Sequence, residues 1–198
     1  MVKIKQNLSP NNNHFWGVNP CNYITIHETA NKSKGANAEM HARYINNGSK
    51  DTWHYTVDDT QAIQHYIDTR QCWHAGDGSG KGNTESIGIE ICVNSDGDYL
   101  KAVQNAIELV AELMKKHNIP IGNVKQHNHW SGKNCPTQLR NGSKGINWNQ
   151  FIEKVKNESK SETNNLYHVQ LGAFRSLNNA KKLKDELIKK GYKDVFIN

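Results

Sequence analysis

Apolar positions along the chain recur sometimes at every second residue and sometimes at steps of three and four, which predicts strands and helices in succession. Tyr23 to Ile26 is aromatic and β-branched and predicts a strand whose end delivers His27 to a surface. A short helix follows over Ala36 to Asn46, stopped near Asn47-Gly48. Trp53 to Val57 and Ala62 to Ile67 read as a hairpin turning at Asp58-Asp59. Ser86 to Val93, SIGIEICV, is nearly continuous in apolar character and predicts a strand buried on both faces, with Glu90 its lone charge. From Tyr99 to His117, Leu100, Val103, Ile107, Val110 and Met114 mark a long amphipathic helix, ended by basic residues and Pro120. A second covers Trp148 to Val155.

Two segments lack periodicity. Gly76 to Asn83, GDGSGKGN, reads as a flexible loop; it lacks the Gly-Lys-Ser/Thr ending of a phosphate-binding loop. Asn157 to Asn165 is polar, without a large apolar residue, and reads as a linker. The expected organisation is therefore a domain over 1–156, a linker over 157–165 and a small C-terminal segment over 166–198. That segment reads as βαβ, with strands at Tyr167 to Leu171 and Asp194 to Ile197 around a helix from Leu177 to Lys190. The fold class is α/β, a mixed central sheet flanked by helices.

Composition narrows the picture. With 35% hydrophobic and 22% charged residues, five Trp and seven Tyr in 198 residues, most of the chain should fold. No stretch approaches the roughly 20 apolar residues of a membrane span, and the N-terminus lacks the apolar run of about 7 or more that a secretory signal needs. The net charge of +6 favours an anionic partner. Its basic residues are dispersed, and the late cluster KKLKDELIKK has the pattern of a solvated helix face, so anionic wall polymers explain the charge better than nucleic acid. The four cysteines are scattered in a chain too large to need a disulfide framework and read as mostly reduced, Cys92 as a buried hydrophobe.

Candidate chemistry lies in two places. Glu90 either pairs with a basic side chain for structure or sits in a cleft where partial desolvation fits it for general-base work. His127, His129 and Cys135 are nitrogen and sulfur donors of the kind zinc prefers, and on an extended segment His127 and His129 share a face, which permits a direct chelate.

The motifs ITIHET, WHYTVDD, CWHAG, SIGIEICV and HNHWSGKNCP, in this order over about residues 20 to 155, resemble the N-acetylmuramoyl-L-alanine amidases of the type 2 amidase family, related to phage lysozyme-like amidases and peptidoglycan recognition proteins. The resemblance implies a Zn2+ ion in an exposed surface groove, held by His27, His127 and Cys135, with His129 a non-ligand. It implies Glu90 as general base, Lys133 as stabiliser of the developing oxyanion, and His74 and Trp73 as substrate contacts. Trp53 stands where some members carry Tyr. The implied substrate is peptidoglycan, cleaved between N-acetylmuramic acid and L-alanine at the cell wall, reached by lysis or another route. HVQLGAF and GYKDVFI resemble the first half of a SPOR domain, a family that binds glycan strands; a half domain is either cut short or completed by self-association.

Overall fold

The computed structural model describes residues 1–10, 17–161, 172–192, 195 and 197. The chain divides into two compact units, Met1–Thr163 and Asn164–Asn198. The first is built on a six-stranded sheet: β1 (Ile4–Gln6), β2 (Tyr23–Glu28), β3 (Tyr55–Val57), β4 (Ala62–Gln64), β5 (Ser86–Ile91) and β6 (Val124–Gln126). Their spatial order is β1-β4-β3-β5-β2-β6. Only β3 and β4 pair antiparallel, the expected hairpin; all other neighbours are parallel, so the sheet is mixed.

One face carries the main core. Ile24 and Ile26 of β2 and Ile87, Ile89 and Ile91 of β5 pack with helix α3 (Tyr99–His117) and with Phe151 and Val155 of α6 (Trp148–Ser161). Helix α3 has the predicted bounds because each end is chemically fixed. The Asp98 side chain accepts from the Lys101 N–H, and Asn118 turns left-handed at φ 55 after a basic last turn. Among the described residues no helix is long and apolar enough to cross a membrane.

The opposite face carries the polar members of the same strands. Thr25 and His27 alternate with the β2 isoleucines, and Ser86, Gly88 and Glu90 with those of β5. Helix α1 (Ala38–Asn46) covers part of this face, seating Ala38 and Ala42 on Ile63. Its start is fixed twice: Asn37 accepts from the Met40 N–H, and Asp58 Oδ2 accepts from the Ala38 N–H at 3.0 Å.

Several expectations change. The glycine-rich segment is a structured loop, because Asp77 accepts from the Gly82 and Asn83 N–H groups and seats helix α2 (Lys81–Thr84). Helix α6 runs to Ser161, into the segment expected as linker. The short elements β1, β6, α4 (Asn128–Ser131) and α5 (Thr137–Asn141) were not predicted. In the second unit helix α7 (Leu177–Lys189) forms as expected. The strand expected over Tyr167 to Leu171 lies outside the described residues, and so do Asp194 and Phe196 of that expected over Asp194 to Ile197.

Candidate active site

Parallel pairing brings three strand ends together. His27 stands opposite Glu90 in the β2–β5 register, and β6 lies on the other side of β2, with the His127 N–H donating to the Ile26 carbonyl at 3.1 Å. Ligand sites of open α/β sheets form at such carboxyl ends. Cys135 enters from the loop between α4 and α5, where the Glu28 N–H donates to its sulfur at 3.4 Å. One ligand atom from each of His27, His127 and Cys135 then lies within 4.8 Å of the others, and all three side chains are buried.

The donors are prepared for a cation. His27 and His127 meet through their Nδ1 atoms at 2.9 Å, while His27 Nε2 bonds His74 Nδ1 at 3.0 Å. Burial and then the neighbouring His74, His127 and Lys133 hold the His27 pKa well below the ordinary imidazole value; burial and Lys133 lower that of His127, whose ring also bonds the Ala75 backbone. Both rings are thus neutral, as metal ligation requires. Burial and then the Glu90 charge push the Cys135 thiol up to about 12, so this sulfur becomes a thiolate only against a compensating cation. Two imidazole nitrogens and one sulfur are donors of the kind that could hold a zinc ion.

His129 takes no part in this cluster. The segment is extended only as far as Gln126; His127 has helical angles, φ −51 and ψ −38, and α4 follows. Two residues apart on a helix, the rings point to different sides, and His129 packs edge-on against Trp130. The H-x-H chelate that the sequence permitted is thereby excluded.

Glu90 keeps 16% of its side chain exposed, with Oε1 3.8 Å from His27 Nδ1. Its Oε2 is buried and has no hydrogen-bond partner among the described residues. Burial raises the carboxyl to about 8, with Lys133 opposing that rise and Glu28 and Asp51 adding to it. Such a group can take up and release a proton near neutral pH. Lys133 is exposed at the groove.

Glu90, His127 and Lys133 line a groove of about 480 Å3 that also reaches Trp73, Tyr44 and Asp51. Trp73 is held by its backbone, donating to Thr52 Oγ1 at 2.7 Å. His74 is 8% exposed and touches both the groove and His27. Its backbone N–H and that of Ala75 donate to Asn83 Oδ1, so the glycine-rich loop sets this wall of the site. Sequence reading missed that function of Asp77 and Asn83; an Asp shortly before a Lys-Gly-Asn-Thr helix start was the available signal. Trp53 is buried, its indole N–H donating to Thr56 Oγ1 at 2.7 Å, and packs with Ile45, Tyr66 and Cys72.

Comparison with known proteins places the fold in a family. The N-acetylmuramoyl-L-alanine amidase family pattern matches residues 17–138. The chain belongs to that family. A SPOR domain pattern matches residues 163–198. The chain is similar to the N-acetylmuramoyl-L-alanine amidase CwlH of Bacillus subtilis (strain 168), 42% identical over 88% of this chain and 70% of that protein. It is also similar to the amidase XlyA of the same organism, 51% identical over 70% of this chain, although that match spans only 48% of XlyA. The solved catalytic domain of XlyA superposes with a TM-score of 0.73 at 45% identity, covering 78% of this chain and 99% of that domain. The family and the mixed sheet with flanking helices stand as the sequence implied.

Proposed function

We propose that this amidase hydrolyses the bond between N-acetylmuramic acid and L-alanine with a zinc ion held by His27, His127 and Cys135. The observation that carries the reading is the convergence of these three buried donors beside a carboxylate that has one unpartnered oxygen. Zinc, when bound, supplies the positive charge that polarises the scissile carbonyl and acidifies water. Glu90 takes a proton from the attacking water and returns it to the departing nitrogen, so one carboxyl serves as base and then acid. The C–N bond breaks, leaving a carboxylate on the muramic acid lactyl group and a free amine on L-alanine. Lys133 faces the groove with a charge suited to the oxygen that becomes negative. Trp73 forms groove wall for the substrate, and His74 contacts it while orienting His27.

The SPOR match supports a second, wall-binding unit after about residue 163, joined to the catalytic unit over 1–156 and acting with it at the cell wall. The test is mass spectrometry of purified peptidoglycan after digestion. A new free N-terminal L-alanine is expected, abolished by chelation and restored by zinc. New reducing sugar ends without new alanine termini would refute the assignment.

A further inference from the structure

The carboxylate of Glu28 is one residue from ligand His27, 7% exposed, and fully engaged. Its Oε2 accepts from the Gln138 N–H at 2.8 Å; its Oε1 accepts from the Leu139 N–H at 3.1 Å and from the Tyr99 hydroxyl at 2.8 Å. Gln138 and Leu139 are the second and third residues of α5, whose own cap position is Pro136. Proline offers no side-chain acceptor, so Glu28 takes the two backbone donors that a serine or aspartate cap would have satisfied. The segment it grips begins two residues after Cys135.

The same residue touches the ligand directly. Its backbone N–H donates to Cys135 Sγ at 3.4 Å, a contact that favours the thiolate form. Glu28 thus ties the Cys135 loop to the end of β2 at two points, through its main chain at the sulfur and through its carboxylate at the helix beyond. Tyr99 braces the carboxylate from α3, which belongs to the rigid core.

We infer that Glu28 is a positioning residue for the metal centre: by capping α5 it fixes the Cys135 sulfur relative to the His27 ring, and it thereby sets zinc affinity. It is not itself a ligand, because both of its oxygens are committed to other donors. The inference rests on the zinc reading above. Glu28→Gln is the informative change, since it keeps the shape but turns an NH2 group toward a backbone N–H that needs an acceptor. Partners that orient metal ligands are typically worth 10- to 100-fold in affinity.

The experiment compares the wild-type full chain, Glu28→Gln and the remote destabilised variant Asp68→Asn. Zinc affinity is measured by chelator competition, the Co2+ derivative by its thiolate-to-cobalt absorption, and metal-free stability by circular dichroism. Glu28→Gln is expected to weaken zinc binding at least 10-fold and to shift or weaken the thiolate band, while Asp68→Asn loses stability with zinc affinity unchanged. Zinc affinity within 3-fold of wild type and an unaltered cobalt spectrum would overturn the inference. So would an equal loss of affinity in Asp68→Asn, which would reduce the effect to general destabilisation. Should Glu28→Gln not fold, Glu28→Asp keeps the charge, shortens the reach and is judged by the same readouts. Failure of the wild-type chain to bind zinc sinks the zinc reading instead, so the two failures are distinguishable.

Discussion

The ring of His74 lies flat over Gly88: a β-carbon on Gly88 would stand 2.9 Å from three of the ring atoms. His74 in turn holds His27 Nε2, so this missing side chain on β5 lets a ring from another loop reach His27 on β2. Gly88→Ala must push His74 aside, since the neighbour in conflict is a ring fixed by its own backbone bond to Asn83. The overpacking should cost about 1–3 kcal/mol of stability. Wall-lysis activity is expected to fall by about 10-fold or more, on the scale of losing a partner that orients a metal ligand. Turbidity clearance of purified walls, with zinc content measured on the same samples, checks this. Wild-type activity in a folded Gly88→Ala protein would show that the His74 contact is dispensable.

This relationship also explains which parts of the fold could be read from the chain. Helix α3 was legible to the residue because nineteen amphipathic positions with chemically distinct ends leave little choice. Strand β5 was legible as buried on both faces, but its face toward the site carries Ser86 and Gly88 besides Glu90, and these two look like part of an apolar run until the His74 ring is seen to fill the space. Strands β1 and β6 are three residues long and lie at the sheet edges, too short for any period to show. His129 was ambiguous because its direction depends on where the extended backbone gives way to helix, which happens at His127. The polar run after Val155 looked like a linker, yet its residues can prolong an existing helix as far as Ser161. The proposed ligand set came from the order of motifs, whereas spacing alone also admitted His129.

Lys133 has a solvated alternative role, and kinetics separates the two. If its ammonium group stabilises the developing oxyanion, Lys133→Ala should lower kcat by about 100- to 1000-fold, the usual cost of one such donor, with KM nearly unchanged. Zinc content should stay at the wild-type level. Release of free alanine amino groups from a soluble muropeptide gives both constants, and a kcat within 3-fold of wild type would leave Lys133 a surface lysine.

Asp68 ties β3 and β4 to the C-terminal end of α3. Its Oδ1 accepts from the Tyr55 hydroxyl at 2.5 Å and Gln64 Nε2 at 3.0 Å, and its Oδ2 from Lys116 Nζ at 2.7 Å and His117 Nε2 at 2.8 Å. Removing the carboxylate strands two buried donors, the Tyr55 hydroxyl and the Gln64 amide, while the exposed Lys116 is taken up by solvent. Asp68→Ala should therefore cost about 2–4 kcal/mol and lower Tm by roughly 10 °C. Metal binding by the protein that remains folded should be unchanged. A loss below about 1 kcal/mol in urea unfolding would mean that solvent replaces these partners.

Acid should destabilise the fold through His54, and the sign follows from its two hydrogen bonds. Nδ1 accepts from the Gly88 N–H at 2.9 Å and Nε2–H donates to the Arg70 carbonyl at 2.8 Å, so both nitrogens are satisfied only in the neutral ring. Burial lowers its pKa to about 4, against an unfolded value near 6.5. The unfolded chain therefore takes up this proton first as pH falls. The stabilisation is complete above about pH 6.5, is lost progressively on descent to about pH 4, and is on the order of 3 kcal/mol. His65, lowered by burial to about 3, acts in the same direction and extends the loss to lower pH. Urea unfolding of the metal-free protein between pH 7.5 and 4.5 should show stability falling, and the curve for His54→Gln should be shallower by the histidine's share. Parallel curves for the two proteins would mean that His54 gains its proton in the folded state as readily as in the unfolded chain, and that the Gly88 hydrogen bond does not hold the ring neutral.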